Sequence, residues 1–255
     1  MGSGRLAGAS IFILLAACSS ADPASSVAPA GSAAEASDCA PIDIRGTTGS
    51  PVDLSGVWRS NDLGIYDIRQ IGSCVYWLGM SQYSGEEPGS SWTNVFSGTL
   101  RSDLTIVGRW ADVPFRPKSY LGDGELILHV DFVQSGQVEW PALRFVSSSS
   151  GYGASAWVLE ASLMPVELEG VFGGNADHLL QTGCLWIEAG GERYELIGDA
   201  GWVMRNDPPI RVEDASGRVV ARVGDPLRVR GGASPALGTN CVENAILIEE
   251  LDPTP

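Results

Sequence analysis

Along residues 124–133 a large apolar side chain falls on every second position. Leu126, Leu128, Val130 and Phe132 share one side, and Glu125, Ile127, His129 and Asp131 share the other. That period of two belongs to an extended strand buried on one face and cannot be met by a helix. Similar short runs rich in Val, Ile, Tyr, Trp and Leu recur downstream of residue 54. They are cut by turn-forming pairs and triplets such as Asn61-Asp62, Gly72-Ser73, Gly122-Asp123-Gly124 and Ser135-Gly136. The pattern predicts strands over 55–60, 64–71, 74–80, 93–100, 103–110, 124–133, 140–147 and 155–161. Eight short strands in a meander can close into an up-and-down barrel. Ala154 to Met164 is the nearest approach to an amphipathic helix.

The chain carries 20 aromatic residues, and 15 of them lie between Trp58 and Trp157. Only Phe172, Trp186, Tyr194 and Trp202 follow Pro165, so the two halves must build different cores. A domain boundary at Pro165 divides the body into 39–164 and 165–255. The second part predicts strands over 168–173, 183–189, 193–198, 209–213, 218–223, 226–230 and 244–250, with hairpin turns at Gly190-Gly191 and Ser216-Gly217. The expected fold is all-β: a larger barrel followed by a smaller, OB-like one.

The first 17 residues have the layout of a secretory signal, with Arg5 ahead of the apolar run Leu6 to Ala17. Twelve apolar residues are too few to span a bilayer core, which needs about 20. The run ends in Leu15-Ala16-Ala17-Cys18, which resembles the bacterial lipobox. The resemblance implies cleavage before Cys18, lipidation of its thiol and a stable membrane anchor, since two or more acyl chains hold firmly. Residues 19–38 are mainly Ala, Ser and Pro and predict a flexible tether. Ser19 is not the aspartate associated with inner-membrane retention, so the outer membrane is the expected destination in a cell with two.

A formal net charge of −15 argues against nucleic acid and against adhesion to anionic lipid, because both need clustered positive charge. With Cys18 lipidated, Cys39, Cys74, Cys184 and Cys241 remain, an even set in an exported chain. Of the three connectivities, pairing within each domain, Cys39 with Cys74 and Cys184 with Cys241, is preferred. A zinc site is not expected: there is no CxxC, and neither His129 nor His178 has ligand spacing to a cysteine pair.

Gly56-Val57-Trp58 resembles the GxW mark of lipocalin-like (calycin) barrels, in which the tryptophan packs across the barrel floor. Its continuation, Ser60-Asn61-Asp62-Leu63-Gly64-Ile65-Tyr66-Asp67-Ile68-Arg69-Gln70-Ile71-Gly72, then Val75-Tyr76-Trp77-Leu78-Gly79-Met80-Ser81, is similar to an uncharacterised domain family. That family reads W-x-S-N-D-G-G-x-Y-Y-I-R-Q-x-G, then W-W-x-G-x-S. Trp110-Ala111-Asp112-Val113-Pro114 and Gly151-Tyr152-Gly153 match its later part. Three positions depart: Leu63 stands for a glycine, Asp67 for a tyrosine and Tyr76 for a tryptophan. The resemblance, over about 52–160, implies fold rather than chemistry. Residues 166–250, through Gly183-Cys184-Leu185-Trp186-Ile187-Glu188 and Val219 to Asp225, are similar to small β-domains of other exported proteins, which supports pairing Cys184 with Cys241.

The sequence contains no G-x-S-x-G elbow, H-E-x-x-H or P-loop. His129 reads as a strand-face residue and His178 as a loop residue; Glu86-Glu87, Glu167/Glu169 and Glu249-Glu250 read as solvated surface. No catalytic residue, metal or cofactor is assigned, and the chain is not expected to be an enzyme. The candidate ligand-binding residues are Trp58, Tyr66, Arg69, Trp77, Trp92 and Trp110. Arg69 is expected to stack on Trp58 as a cation–π pair or, with Tyr66, to hold a ligand's polar group. Trp77, Trp92 and Trp110 are expected either to pack the barrel or to form a stacking platform. The function expected is an envelope binding module for a small apolar or sugar ligand. The alternatives are a structural envelope protein that contacts others through loops such as 81–92, and, ranked last, a hydrolase.

Overall fold

A computed structural model of the protein describes residues 39–83, 87–114, 121–135, 137–175, 184–198, 201–205, 208–214, 216–238, 242 and 244–253. The signal, Cys18, the tether, His178, Glu86 and Cys241 lie outside the described residues. The rest belongs to one compact unit, Ser37–Pro255.

Eight strands form the first barrel: β1 (Gly56–Ser60), β2 (Gly64–Ile71), β3 (Cys74–Ser81), β4 (Thr93–Leu100), β5 (Thr105–Asp112), β6 (Asp123–Ser135), β7 (Val138–Ser148) and β8 (Ala156–Leu159). Each pairs antiparallel with the next, and β8 closes onto β1 through Trp58↔Leu159 and Ser60↔Trp157. Alternation fills it as the sequence predicts: Leu126, Leu128 and Val130 are buried, whereas Glu125 is exposed and His129 and Asp131 keep partial exposure.

The up-and-down order gives the barrel two distinct ends. At one, the turns β2–β3 and β4–β5 meet the segment 39–55, which stoppers the barrel. Ile44 and Leu54 are buried in the barrel core, and Trp58 Nε1 donates to Leu54 O at 2.9 Å. This is the floor position the GxW resemblance implies. Cys39 is disulfide-bonded to Cys74, with Cα atoms 5.1 Å apart, and Ser73 N donates to Ala40 O. Gly72 turns there at φ +55, where a Cβ would lie 2.4 Å from Cys39 O. Glu139 accepts hydrogen bonds from Thr47 and Thr48 and pins the stopper on the far side. The opposite end carries the loops after β1, β3, β5 and β7, and is called the loop end below.

The second barrel consists of β9 (Met164–Asn175), β10 (Cys184–Ala189), β11 (Glu192–Ile197), β15 (Pro226–Ser234) and β16 (Asn244–Pro253). Its order is β9-β10-β11-β16-β15 and back to β9, with β11 and β16 parallel and the other pairs antiparallel. This is the OB-like five-stranded closure. Cys184 is disulfide-bonded too.

The strand predicted over 155–161 is β8, which ends in a single 3-10 turn, Glu160–Ser162. The first strand of the second barrel, β9, starts at Met164, and Pro165 pairs with Gly232 inside it. One expectation needs correction. The segments near 211–213 and 219–222 are not barrel strands; they are β13 (Arg211–Glu213) and β14 (Val219–Arg222), which join β12 (Val203–Arg205) in a separate sheet.

A third apolar cluster joins the barrels. Ala142 and Val158 are neighbours on the outer wall of β7–β8, yet they are 3% and 0% exposed. Leu237, Ile197 and Ala245 of the second barrel cover them, with Leu63 packed at the edge. Leu63 adopts φ +62, a conformation unfavourable for a branched L-residue. The position that the resembling family gives to glycine therefore holds a side chain that bridges the barrels.

Truncation at this seam tests its weight. Leu237→Ala is expected to lower unfolding free energy by about 2–5 kcal/mol, measured by urea denaturation. Leu63→Ala loses packing and keeps the strained φ, so it should destabilise more than Leu63→Gly, which relieves the φ.

Candidate binding site at the loop end of the first barrel

Tyr66 organises the loop end. It projects inward from β2, is fully buried, and lies opposite Gly79 of β3 in register. A Cβ at Gly79 would come within 2.5 Å of the Tyr66 ring, and one at Gly64 would meet the same ring at 2.5 Å and Trp92 at 2.6 Å. These two glycines let the ring lie against the bare wall. Around it stand Trp77 at 5.6 Å, edge-on, Trp92 at 5.8 Å and Trp157 at 5.9 Å, between ring centroids. Tyr152, from the β7–β8 loop, makes a T-shaped contact with Trp110 at 4.8 Å and lies 6.0 Å from Trp157.

Buried rings that carry polar atoms need partners for them. Tyr66 donates to Asp62 Oδ2 at 3.0 Å. Asp62 Oδ1 accepts from Gly64 N at 3.0 Å and from the Ser60 hydroxyl. Trp77 Nε1 donates to Asn94 Oδ1 at 2.9 Å, and the Tyr152 hydroxyl lies 3.5 Å from both Tyr66 Oη and Asn94 Oδ1. Ser81 Oγ accepts from Ser91 N and Trp92 N, which sets Trp92 over Tyr66. The exception is Trp157: its Nε1 is buried and, among the described residues, has no hydrogen-bond partner.

The electrostatics follow from burial. Although Asp62 keeps partial solvent contact as a residue, its carboxylate is turned inward, and desolvation raises its pKa above the usual carboxylate value against the pull of its three donors. Burial, followed by the Asp62 charge, pushes Tyr66 well above the usual phenol range, and burial pushes Tyr152 up as well. Both tyrosines are therefore neutral hydroxyls at physiological pH. Among the described residues, no cation pairs with Asp62.

Among the sequence candidates, Tyr66, Trp77, Trp92 and Trp110 converge here, while Trp58 is buried and hydrogen-bonded to the stopper at the other end. Trp77 does not offer a free stacking face, because Phe96 stacks on it at 4.2 Å. Arg69 is the clear correction. It is exposed on the outside of β2, so it neither stacks on Trp58 nor shares a site with Tyr66. Three residues separate Tyr66 from Arg69, and an odd separation puts side chains on opposite faces of a strand. Asp62, Asn94, Tyr152 and Trp157 complete the group, and none of them is among the candidates that the sequence predicts. His129 faces outward, with Nδ1 3.0 Å from Asp131 Oδ1, while Arg144 Nε donates to Asp131 Oδ2 at 2.8 Å. Glu167 and Glu169 pair with Arg228, as surface carboxylates do.

The raised Asp62 pKa carries a pH signature. The native state holds this proton more tightly than the unfolded chain, so its contribution to stability falls as pH rises from the usual carboxylate range through the raised value. Wild type and Asp62→Asn, unfolded in urea from pH 4 to pH 8, should show an advantage of wild type that shrinks with pH; a constant difference would mean that the carboxylate is not desolvated.

No family model and no curated protein matches the chain. Among solved structures it is similar to the Cpx pathway activator NlpE from Escherichia coli, at 15% identity over 70% of this chain and 94% of that one, with a TM-score of 0.22. That likeness is too low to transfer fold or function.

Proposed function

We propose that the chain is an exported, lipid-anchored protein of the cell envelope, preferentially the outer membrane, whose first barrel binds a small neutral, sugar-like ligand at its loop end. The anchor rests on the lipobox-like Leu15-Ala16-Ala17-Cys18 and the Ala/Ser/Pro tether. The ligand reading rests chiefly on one observation: among the described residues, the Trp157 indole N–H is the buried side-chain polar group without a partner. A buried donor left unpaired costs about 1–3 kcal/mol, which a bound hydroxyl would offset.

The chemistry around it supports a sugar more than a lipid or an anion. A hydroxyl can accept from Trp157 and donate to Asp62 or Tyr152. Trp92 and Tyr152 are partly exposed and can stack on a sugar ring. An anion would meet the Asp62 carboxylate, which no cation among the described residues compensates. An acyl chain would have to enter the axis occupied by Trp77, Phe96, Leu128 and Val130, all buried. No covalent step is proposed, so the reading is of a binding protein and not an enzyme.

The seating of Tyr66 against Gly64 and Gly79 favours a second reading, a structural envelope protein whose barrel is filled by its own rings. Titration of the full chain with neutral mono- and oligosaccharides, followed by tryptophan fluorescence, separates the two. Binding that falls about tenfold in Trp92→Ala, as loss of a stacking contact worth up to about 1.5 kcal/mol predicts, supports the first. No fluorescence response and no thermal stabilisation by any sugar would leave the structural reading.

A further inference from the structure

Outward positions on antiparallel strands are ordinarily polar, because that face meets water. The outside of β1–β5 departs from this. Register places Val57, Asp67, Leu78, Val95 and Ala111 in one row across the five strands. Val57, Leu78 and Val95 are 38%, 42% and 39% exposed. The next row towards the stopper holds Arg69, Tyr76, Ser97 and Arg109, with Tyr76 37% exposed. The row towards the loop end holds Arg59, which pairs with Glu160, then Ile65, Met80 and Thr93. In a chain of net charge −15, this is a sheet face with an apolar centre. A contiguous apolar patch of this kind marks a contact surface.

Two charges decide what fits it. Asp67 and Arg69 are both exposed, adjacent on the same face of β2. Among the described residues neither has an ion pair. They lie one in each row, equidistant from a line running across the strands at the level of Ile68. A two-fold axis along that line, in the plane of contact, exchanges the two rows. It lays Asp67 of one copy on Arg69 of the other and Arg69 on Asp67, and sets Leu78 against Tyr76 twice. An isologous contact demands this reciprocity. Two sheet faces can pack so at about 10 Å, with their strands within about 30°.

We propose that the outer face of β1–β5 is a self-association surface whose partner is the same face of a second copy of this chain. Five strands spaced about 4.8 Å apart and three rows about 6.8 Å apart make a face of about 20 Å by 14 Å, roughly 300 Å². That is below the roughly 800 Å² per partner of a standard interface, so the dimer is weak and concentration-dependent. The inference is independent of the ligand reading, since the loop-end group lies inside the barrel and these side chains lie outside it.

The test is sedimentation velocity on the full-length chain in density-matched detergent, over the micromolar to millimolar range. Wild type should show a monomer–dimer equilibrium. Asp67→Arg sets Arg against Arg, and Arg69→Asp sets Asp against Asp. Each variant alone should associate at least about tenfold more weakly. An equimolar mixture of the two should recover association, because the mixed dimer faces two arginines with two aspartates. Both positions are exposed, so circular dichroism melts should match wild type and separate misfolding from lost contact. Wild type that stays monomeric throughout would overturn the proposal. So would single variants that dimerise as wild type does, or a mixture of folded variants that does not associate.

Discussion

Closing an eight-stranded sheet on itself creates an interior of set size, and the side chains that alternate inward must fill it. In this chain the fill is aromatic. Tyr66, Trp77, Phe96, Trp110 and Trp157 all turn inward from consecutive or neighbouring strands, and rings of that size cannot all stand out from a narrow wall. Glycine on the inner face resolves the conflict. Gly64 and Gly79 admit the Tyr66 ring, and a Cβ at Gly98 or Gly108 would sit 2.5 Å from Phe96. Rings bring polar atoms with them, and these require partners in a dry interior. The group of Asp62, Asn94 and Tyr152 follows from that requirement, so core and candidate site are one structure.

The two ends of the barrel divide the labour. The stopper end is bound covalently through Cys39–Cys74 and by the Glu139 carboxylate, which is how a short N-terminal segment with few apolar residues stays ordered. The loop end is held by turns and by backbone N–H groups that donate to Ser81 Oγ and Asn61 Oδ1. The proposed site lies at the end whose backbone comes from loops on a rigid wall, where binding residues are disproportionately found.

The seam between barrels shows how a neighbour alters local rules. Val158 would be a solvent-facing apolar residue on an isolated barrel, but it is wholly buried against the second. Leu63 accepts a left-handed backbone at a turn because its side chain gains that same contact. The 3-10 turn Pro235–Leu237, the connection between β15 and β16, supplies the covering leucine, so the second barrel uses that connection on the first barrel.

Strand positions, the count of strands in the larger barrel and the all-β class were legible in the chain, because period two and turn residues are local properties. Placement of Tyr66, Trp77, Trp92 and Trp110 near one another was partly legible, since inward parity can be read strand by strand. Arg69 could have been excluded by the same parity. The convergence of Asp62 with Asn94 and Tyr152 could not be read, because those residues come from separate loops and strands and meet only when β8 closes on β1. The sequence by itself determined the alternation that makes a wall, and it alone supports the proposed anchor at Cys18, because both readings depend on near neighbours in the chain. Only the tertiary structure decided which rings face which polar atoms, which donor is left unpaired and which outward face stays apolar, because those are distances across a closed barrel and not along a chain.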